Sequence, residues 1–288
     1  MSIFNHPKWI NRELLGIKTF NEINYNSLID IKEKIKIINN NKPLISIVIP
    51  VYNEEVNLIR CIDSLVRSIT KFPYEIIIIN NNSTDNTQKV IAHFGLRYFN
   101  QPIQGYGPAR QKGLEVAKGK YILTADADCL YPPTWIEYLT KLLIKKKALC
   151  VFGTYSYIAI EGYARWKLFV YEQFKEILST LKIINRPYLN CYGMNMGFEK
   201  EAALNIGYDK RNIRGEDGRL CYDFMTKGKI YRFKSSKGKV WTTNLAYQKD
   251  GTFYSFYNKA RKEINNLYYY LKKQHPHNTK ISKNELND

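Results

Sequence analysis

Lys120-Tyr-Ile-Leu-Thr-Ala-Asp-Ala-Asp128 is the stretch that decides how this chain folds and where its chemistry lies. Lys120 to Ala125 reads as a buried strand. Asp126 and Asp128 follow it, with the small Ala127 between them. Strand side chains alternate faces, so residues i and i+2 point the same way. Both carboxylates therefore converge at the C-terminal end of a strand, where open α/β sheets bind ligands. Two hard oxygen donors this close suit Mg2+ or Mn2+ held against a diphosphate. An Asp-x-Asp string alone is common on protein surfaces, and its meaning comes from what flanks it.

Upstream, strands and helices alternate. Leu44-Ile-Ser-Ile-Val-Ile49 is a continuous apolar run, as expected for a parallel strand covered on both faces. Pro50 is expected to end it. Asn53 can then N-cap a helix whose core stripe is Leu58, Ile59, Ile62, Leu65, Val66 and Ile69. Tyr74 to Ile79 reads as a second buried strand, and Asn80 to Asp85 as a polar turn opening a helix to Phe94. A short strand from Leu96 to Phe99 and a helix from Pro108 to Lys118 lead back to the Asp pair. Beyond it, a helix begins near Trp135 and a strand spans Ala148 to Phe152. Repeated βα units of this length call for an α/β fold with a mostly parallel sheet and right-handed crossovers.

The flanks are less regular. Residues 1–42 read as an N-terminal arm with one helix, Ser27 to Ile38. Gly162 to Leu181 reads as a long amphipathic helix, and Met194 to Phe198 as a strand. Gly215-Glu-Asp-Gly-Arg-Leu220 opens another helix, and Ile230 to Phe233 and Val240 to Thr243 read as strands. Thr252 to Lys273 reads as a terminal helix.

With 288 residues the chain can bury a full core. Its five cysteines are scattered, odd in number and lack a Cys-x-x-Cys spacing, so neither a disulfide framework nor a zinc site is expected. No apolar leader is evident near Met1, and no apolar run approaches a membrane span. A cytoplasmic protein is the expectation, with peripheral attachment to the inner face of the cell membrane allowed by its charge. The net charge is +18, and residues 225–288 carry 14 Lys and Arg against 4 Asp and Glu. That excess fits either a solvated basic face or an anionic partner, such as a membrane surface.

Six motifs now stand in order: Ile49-Pro-Val-Tyr-Asn-Glu-Glu55, Asn80 to Thr87, Gly105 to Gly113, Ala125 to Asp128, Gly193 to Phe198 and Gly215 to Leu220. Together they resemble the family 2 glycosyltransferases, inverting enzymes of the GT-A fold. The resemblance covers residues 43–245. It implies a Rossmann-like nucleotide half (43–153) and an irregular acceptor half (154–245), with residues 246–288 as a basic C-terminal helix and tail. It implies a nucleotide-sugar donor, UDP-sugar first with GDP- or dTDP-sugar as alternatives, and a glycan or lipid-linked glycan acceptor. No nucleic acid partner is expected.

The resemblance also assigns roles. Pro50, Tyr52 and Glu54 line the base, Arg110 offers a cationic fork to the nucleotide or its phosphates, and Asp126, Ala127 and Asp128 hold ribose and the divalent ion. Asn80 stands where many relatives carry an Asp that accepts from a uracil N3–H. Its amide can accept or donate, so the nucleobase stays open. Asp217 falls at the catalytic base, Glu216 beside it at the acceptor, and Asn195 and Trp241 at the acceptor or sugar pocket. For each, a plainer reading competes: turn chemistry for Asn80, a surface position for Arg110, strand-end bonding for Asn195, core packing for Trp135 and Trp241. His275 or His277 would be a third metal ligand, or solvated tail residues. Two other functions compete as well. A sugar nucleotidyltransferase would need a Gly-rich loop after the first strand, where this chain has Pro50-Val-Tyr-Asn-Glu-Glu55. A non-catalytic basic membrane-binding module would leave both acidic pairs without a purpose.

Overall fold

The computed structural model describes residues 6–38, 42–159, 164–211 and 215–243, together with 261, 265 and 266. The expected terminal helix from Thr252 to Lys273 falls almost wholly outside the described residues, as do His275 and His277. α1 (Arg12–Leu15) and α2 (Tyr25–Ile38) come first. β1 (Ile45–Val51), α3 (Glu55–Val66), β2 (Tyr74–Asn80), α4 (Thr87–Phe94), β3 (Arg97–Asn100), α5 (Tyr106–Val116) and β4 (Tyr121–Thr124) then alternate. β5 (Cys129–Leu130), α6 (Trp135–Lys146), β6 (Cys150–Phe152) and β7 (Tyr155–Tyr157) follow. The remainder comprises α7 (Arg165–Asn185), β8 (Met196–Glu199), α8 (Lys200–Leu204), α9 (Glu216–Lys227), β9 (Ile230–Arg232) and β10 (Val240–Thr242).

Seven strands form the main sheet in the order β3-β2-β1-β4-β8-β6-β9. β1, β2, β3 and β4 run parallel, while β8 is antiparallel to both β4 and β6. The mixed, mostly parallel α/β sheet is the one anticipated. Its apolar strands serve two layers at once. In β2, Ile76 and Ile78 enter the core beneath α3 and α4, while Ile77 and Ile79 enter the core beneath α5. That double duty is why the strand reads as an unbroken apolar run. α2 adds Leu28, Ile31 and Ile35 to the first of these layers.

Three details depart from the sequence reading. β1 continues through Pro50, because the Asn81 N–H bonds the Val51 carbonyl at 2.8 Å and keeps the strand paired beyond the missing donor. Glu54, and not Asn53, occupies the N-cap of α3. Asn53 adopts a left-handed φ of 55° and turns its Oδ1 to the Thr84 N–H, 2.7 Å away, so it fastens the neighbouring loop. A second, three-stranded sheet, β5-β10-β7, was not anticipated: β10 was expected as a strand, but β5 and β7, of two and three residues, show no period.

Cysteine usage also departs. Cys191 and Cys221 form a disulfide across 30 residues, and the buried Cys150 sulfur lies within 4.8 Å of theirs. Spacing alone hid this pair, because the fold brings the loop before β8 onto the second turn of α9. Cys61, Cys129 and Cys150 are free. Alkylation of the unfolded, unreduced protein is therefore expected to label three thiols, and five after reduction. A closed loop of this length is worth about 3 kcal/mol, so a reductant should lower the unfolding free energy by that order in a denaturant titration.

Candidate active site

Strand order reverses direction in sequence between β1 and β4, which are adjacent and parallel. A crevice opens at such a switch point, beyond the C-terminal strand ends. β1 delivers Tyr52 and Glu54 to it, and β4 delivers Asp126 and Asp128. Tyr52 is 47% exposed, while Ala127 between the acids is buried.

The loop after β4 is held from two sides. The Asp126 N–H donates to the Tyr131 hydroxyl at 2.9 Å, and that hydroxyl donates to the Met194 carbonyl at 3.1 Å. The Asp128 carbonyl accepts from the Thr243 N–H at 2.8 Å and from its hydroxyl at 2.9 Å. Main-chain pinning fixes where the carboxylates start. Tyr131→Phe removes the bridging hydroxyl and strands two polar groups. We expect it to cost about 2 kcal/mol of stability in urea unfolding.

Arg110, on α5, lies at the centre and is 3% exposed. Its Nη2 donates to Asp126 Oδ1 at 2.9 Å, and its Nη1 pairs with Asp217 Oδ1 and lies 3.7 Å from Glu216 Oε1. Burial opposes the guanidinium charge, but Asp126 and Glu216 outweigh it and raise the Arg110 pKa. Tyr106 covers it, with the ring centroid 5.9 Å from the guanidinium carbon. The sequence reading had this arginine reaching for phosphates. In the structure its fork is taken up by carboxylates that approach from two other parts of the chain.

Asp217 and Glu216 occupy the first turn of α9, after Gly215 at φ 93°. Asp217 Oδ2 accepts from the Gly193 N–H at 2.8 Å. A Cβ at residue 193 would overlap the Arg110 guanidinium, so only glycine lets the loop approach this closely. Asp217 and Asp126 are thus brought to one site by a shared cation, although 91 residues separate them in sequence.

Charge is crowded here. Asp126, Glu216 and Asp217 gather about the Arg110 guanidinium, and Glu54 and Asp128 lie near enough to Asp126 to feel its charge. Burial raises Glu54 to about 7, with Asp128 and Asp126 adding to the rise despite a bond from Asn57. Burial and then Asp126 raise Asp128 to about 6, against a bond from the Cys129 thiol. A buried excess of hard oxygen donors is what a divalent cation relieves, so Asp126 and Asp128, with Glu54 nearby, fit such an ion. Both pKa values stand above their unfolded values, so the folded protein binds these protons more tightly than the unfolded chain does. Stability without a cation should fall as pH rises from about 4 to 7. A cation competes with the same protons. The Tm increase caused by Mn2+ should therefore be larger at pH 7.5 than at pH 5.5, as measured by scanning calorimetry.

Other expected residues lie as follows. Pro50 is buried within β1, opposite Ile79. Asn80 ends β2, where its Oδ1 accepts from the Ser83 N–H at 3.1 Å and its Nδ2 donates to Gln88 at 2.8 Å. Turn chemistry therefore occupies much of its amide. Asn195 is engaged in hydrogen bonds within the protein. It is fully buried, donating to the Thr154 and Gly238 carbonyls at 2.8 and 2.9 Å and accepting from the Trp135 indole at 2.9 Å. Buried polar groups need such partners, and Asn195 serves as a cross-brace between chain segments. Trp135 is core. Trp241, on β10, packs with Ile10, Leu130 and Ile158, and Arg165 stands 5.1 Å from its ring. None of its described contacts reaches Asp217. Tyr131 and Gly193 were missed as site-builders. The glycine lay inside a motif already singled out, whereas nothing in the sequence marked the tyrosine.

Known proteins share this chain's sequence family and fold. Residues 46–207 match the sequence model of Glycosyl transferase family 2, and the chain belongs to that family. It is 28% identical over 238 residues to a hyaluronan synthase of Pasteurella multocida, covering 75% of this chain and 24% of that protein. It is 32% identical over 102 residues to glycosyltransferase AglE of Haloferax volcanii, covering 33% and 34%. The chain thus spans about a quarter and about a third of the length of these two relatives. An uncharacterized glycosyltransferase of Haemophilus influenzae is 25% identical over 256 residues, covering 80% of this chain and 95% of that protein. Among solved structures, mannosyltransferase PcManGT from Pyrobaculum calidifontis, in complex with GDP-Man and Mn2+, aligns with a TM-score of 0.57 at 14% identity, covering 86% and 80%. S. aureus TarS 1–349 in complex with UDP-GlcNAc aligns at 0.55 and 16% identity, covering 77% and 66%. The shared architecture is the GT-A fold.

Proposed function

We propose that the chain is an inverting glycosyltransferase that moves a sugar from a nucleoside-diphosphate donor to a glycan or lipid-linked glycan. One observation carries the reading: Asp126 and Asp217 meet the two amino groups of a single buried guanidinium. Inversion is one displacement at the anomeric carbon, and it needs a base on the face opposite the leaving diphosphate. Asp217 is that base. It enters an ion pair as the carboxylate, the form that accepts the hydroxyl proton, and two donors fix its direction. Glu216, beside it in the same helical turn, orients the acceptor.

The donor lies across the switch point. The turn from Pro50 to Glu54 and the end of β2 at Asn80 flank the base, and the exposed Tyr52 ring is available to stack on it. Asp126 and Asp128 would hold Mg2+ or Mn2+, which supplies charge neutralisation at the leaving diphosphate. Neighbours in complex with GDP-Man and Mn2+ or with UDP-GlcNAc support a nucleotide-sugar and a divalent ion without choosing the base. The basic excess of residues 225–288 supports an acceptor at an anionic surface, on the cytosolic side of a membrane.

The test is a panel of UDP-, GDP- and dTDP-sugars, with Mn2+ or Mg2+, scored for sugar release and transfer. At least one donor should be turned over. Asp217→Asn keeps the shape of the side chain and removes the base, so transfer should fall by about 10²–10⁴ while a donor-induced Tm shift persists. A silent panel, or an Asp217→Asn enzyme with the wild-type rate, would sink the reading.

A further inference from the structure

A second cleft opens between β7 and α7. Tyr155, Tyr157, Lys175, Tyr192 and Arg232 line it. Tyr192 immediately precedes Gly193, whose N–H lies 2.8 Å from Asp217 Oδ2. The cleft and the base therefore share one stretch of chain. Tyr155 meets Tyr157 and Tyr192 edge-on, with ring centroids 5.5 and 5.3 Å apart. The Lys175 ammonium stands 4.4 Å from the Tyr155 centroid. It donates to the Tyr155 hydroxyl and, at 3.3 Å, to that of Tyr157.

The carboxylates of this cleft are committed within the protein. Glu172 accepts from the Tyr157 N–H at 2.8 Å and from Arg165 at 2.9 Å. Glu176 pairs with Arg232 at 2.8 Å and Lys234 at 2.6 Å. Lys239 is close enough for Glu172, Arg165 and Glu176 to act on it. Among the described residues, five cations thus surround two carboxylates. Among the described residues the cleft is net positive and tyrosine-walled, which suits the ring of a pyranose and the charge of an anion.

We propose that this cleft receives the acceptor and that the acceptor is an anionic saccharide, with its carboxylate or phosphate met by Lys175 and Arg232 and a sugar ring against Tyr155 and Tyr192. The inference rests on the glycosyltransferase reading and adds to it the charge of the acceptor. A carboxylate and a phosphate present the same chemistry to these two cations, and separate probes distinguish them.

The full chain, loaded with UDP and Mn2+, is titrated by NMR with methyl β-glucoside, methyl β-glucuronide and methyl β-glucoside 6-phosphate. At least one anionic probe should bind about tenfold more tightly than the neutral one, the gain from one charge-assisted contact. Whichever anion binds more tightly names the source. Lys175→Gln and Arg232→Gln should each shrink the preference, and Lys175→Arg should keep it. If Lys175→Gln does not fold, Arg232→Gln carries the test. Equal binding of neutral and anionic probes overturns the proposal, as does a preference that survives both glutamine variants. Sugar release from nucleotide-sugars is measured in parallel. If release persists while the preference is absent, only the acceptor assignment falls. If no donor is turned over, the underlying reading falls.

Discussion

A buried guanidinium cannot stand alone, and the architecture of this site follows from that constraint. Arg110 is enclosed by the sheet, by the loop before β8 and by the first turn of α9. Leaving its charge without partners inside the protein would cost several kcal/mol, so carboxylates must come to it. They come from the end of β4 and from α9. The folding requirement of one cation therefore delivers Asp126 and Asp217 to a common point. Gly193 is the steric condition for that delivery, since any side chain there would displace the guanidinium.

The same constraint accounts for the electrostatics. Glu54 and Asp128 are held above their ordinary range, first by burial and then by neighbouring carboxylates, Asp126 acting on both. Glu54 is held by α3, Asp128 by the backbone bonds from Thr243. The negative excess is thus fixed in place by secondary structure and does not depend on mobile side chains finding one another.

What the sequence disclosed and what it hid have separate physical causes. β1 and β2 were legible because a strand packed on both faces must be apolar throughout. The two acidic pairs were legible because they follow a strand end and open a helix, positions with defined geometry. β5 and β7 were illegible, since two or three residues carry no period, and with them went the small sheet that forms one wall of the second cleft. Asn195 was readable either as a pocket residue or as a strand-end hydrogen-bonder, and only the fold shows its amide satisfying two carbonyls and an indole. The Cys191–Cys221 pair was invisible for a topological reason: its halves meet only after β8 and α9 are placed.

The backbone of Asp128 is tied to Thr243, the residue that follows β10, through both its N–H and its hydroxyl. Mechanically this makes β10 a tether. Tension on the chain at residue 243 would be felt at the carbonyl of Asp128 and, through the Thr243 hydroxyl 3.3 Å from Asn57 Oδ1, at α3. Force applied at Thr243 thus has a direct line to the Asp126–Asp128 side of the crevice.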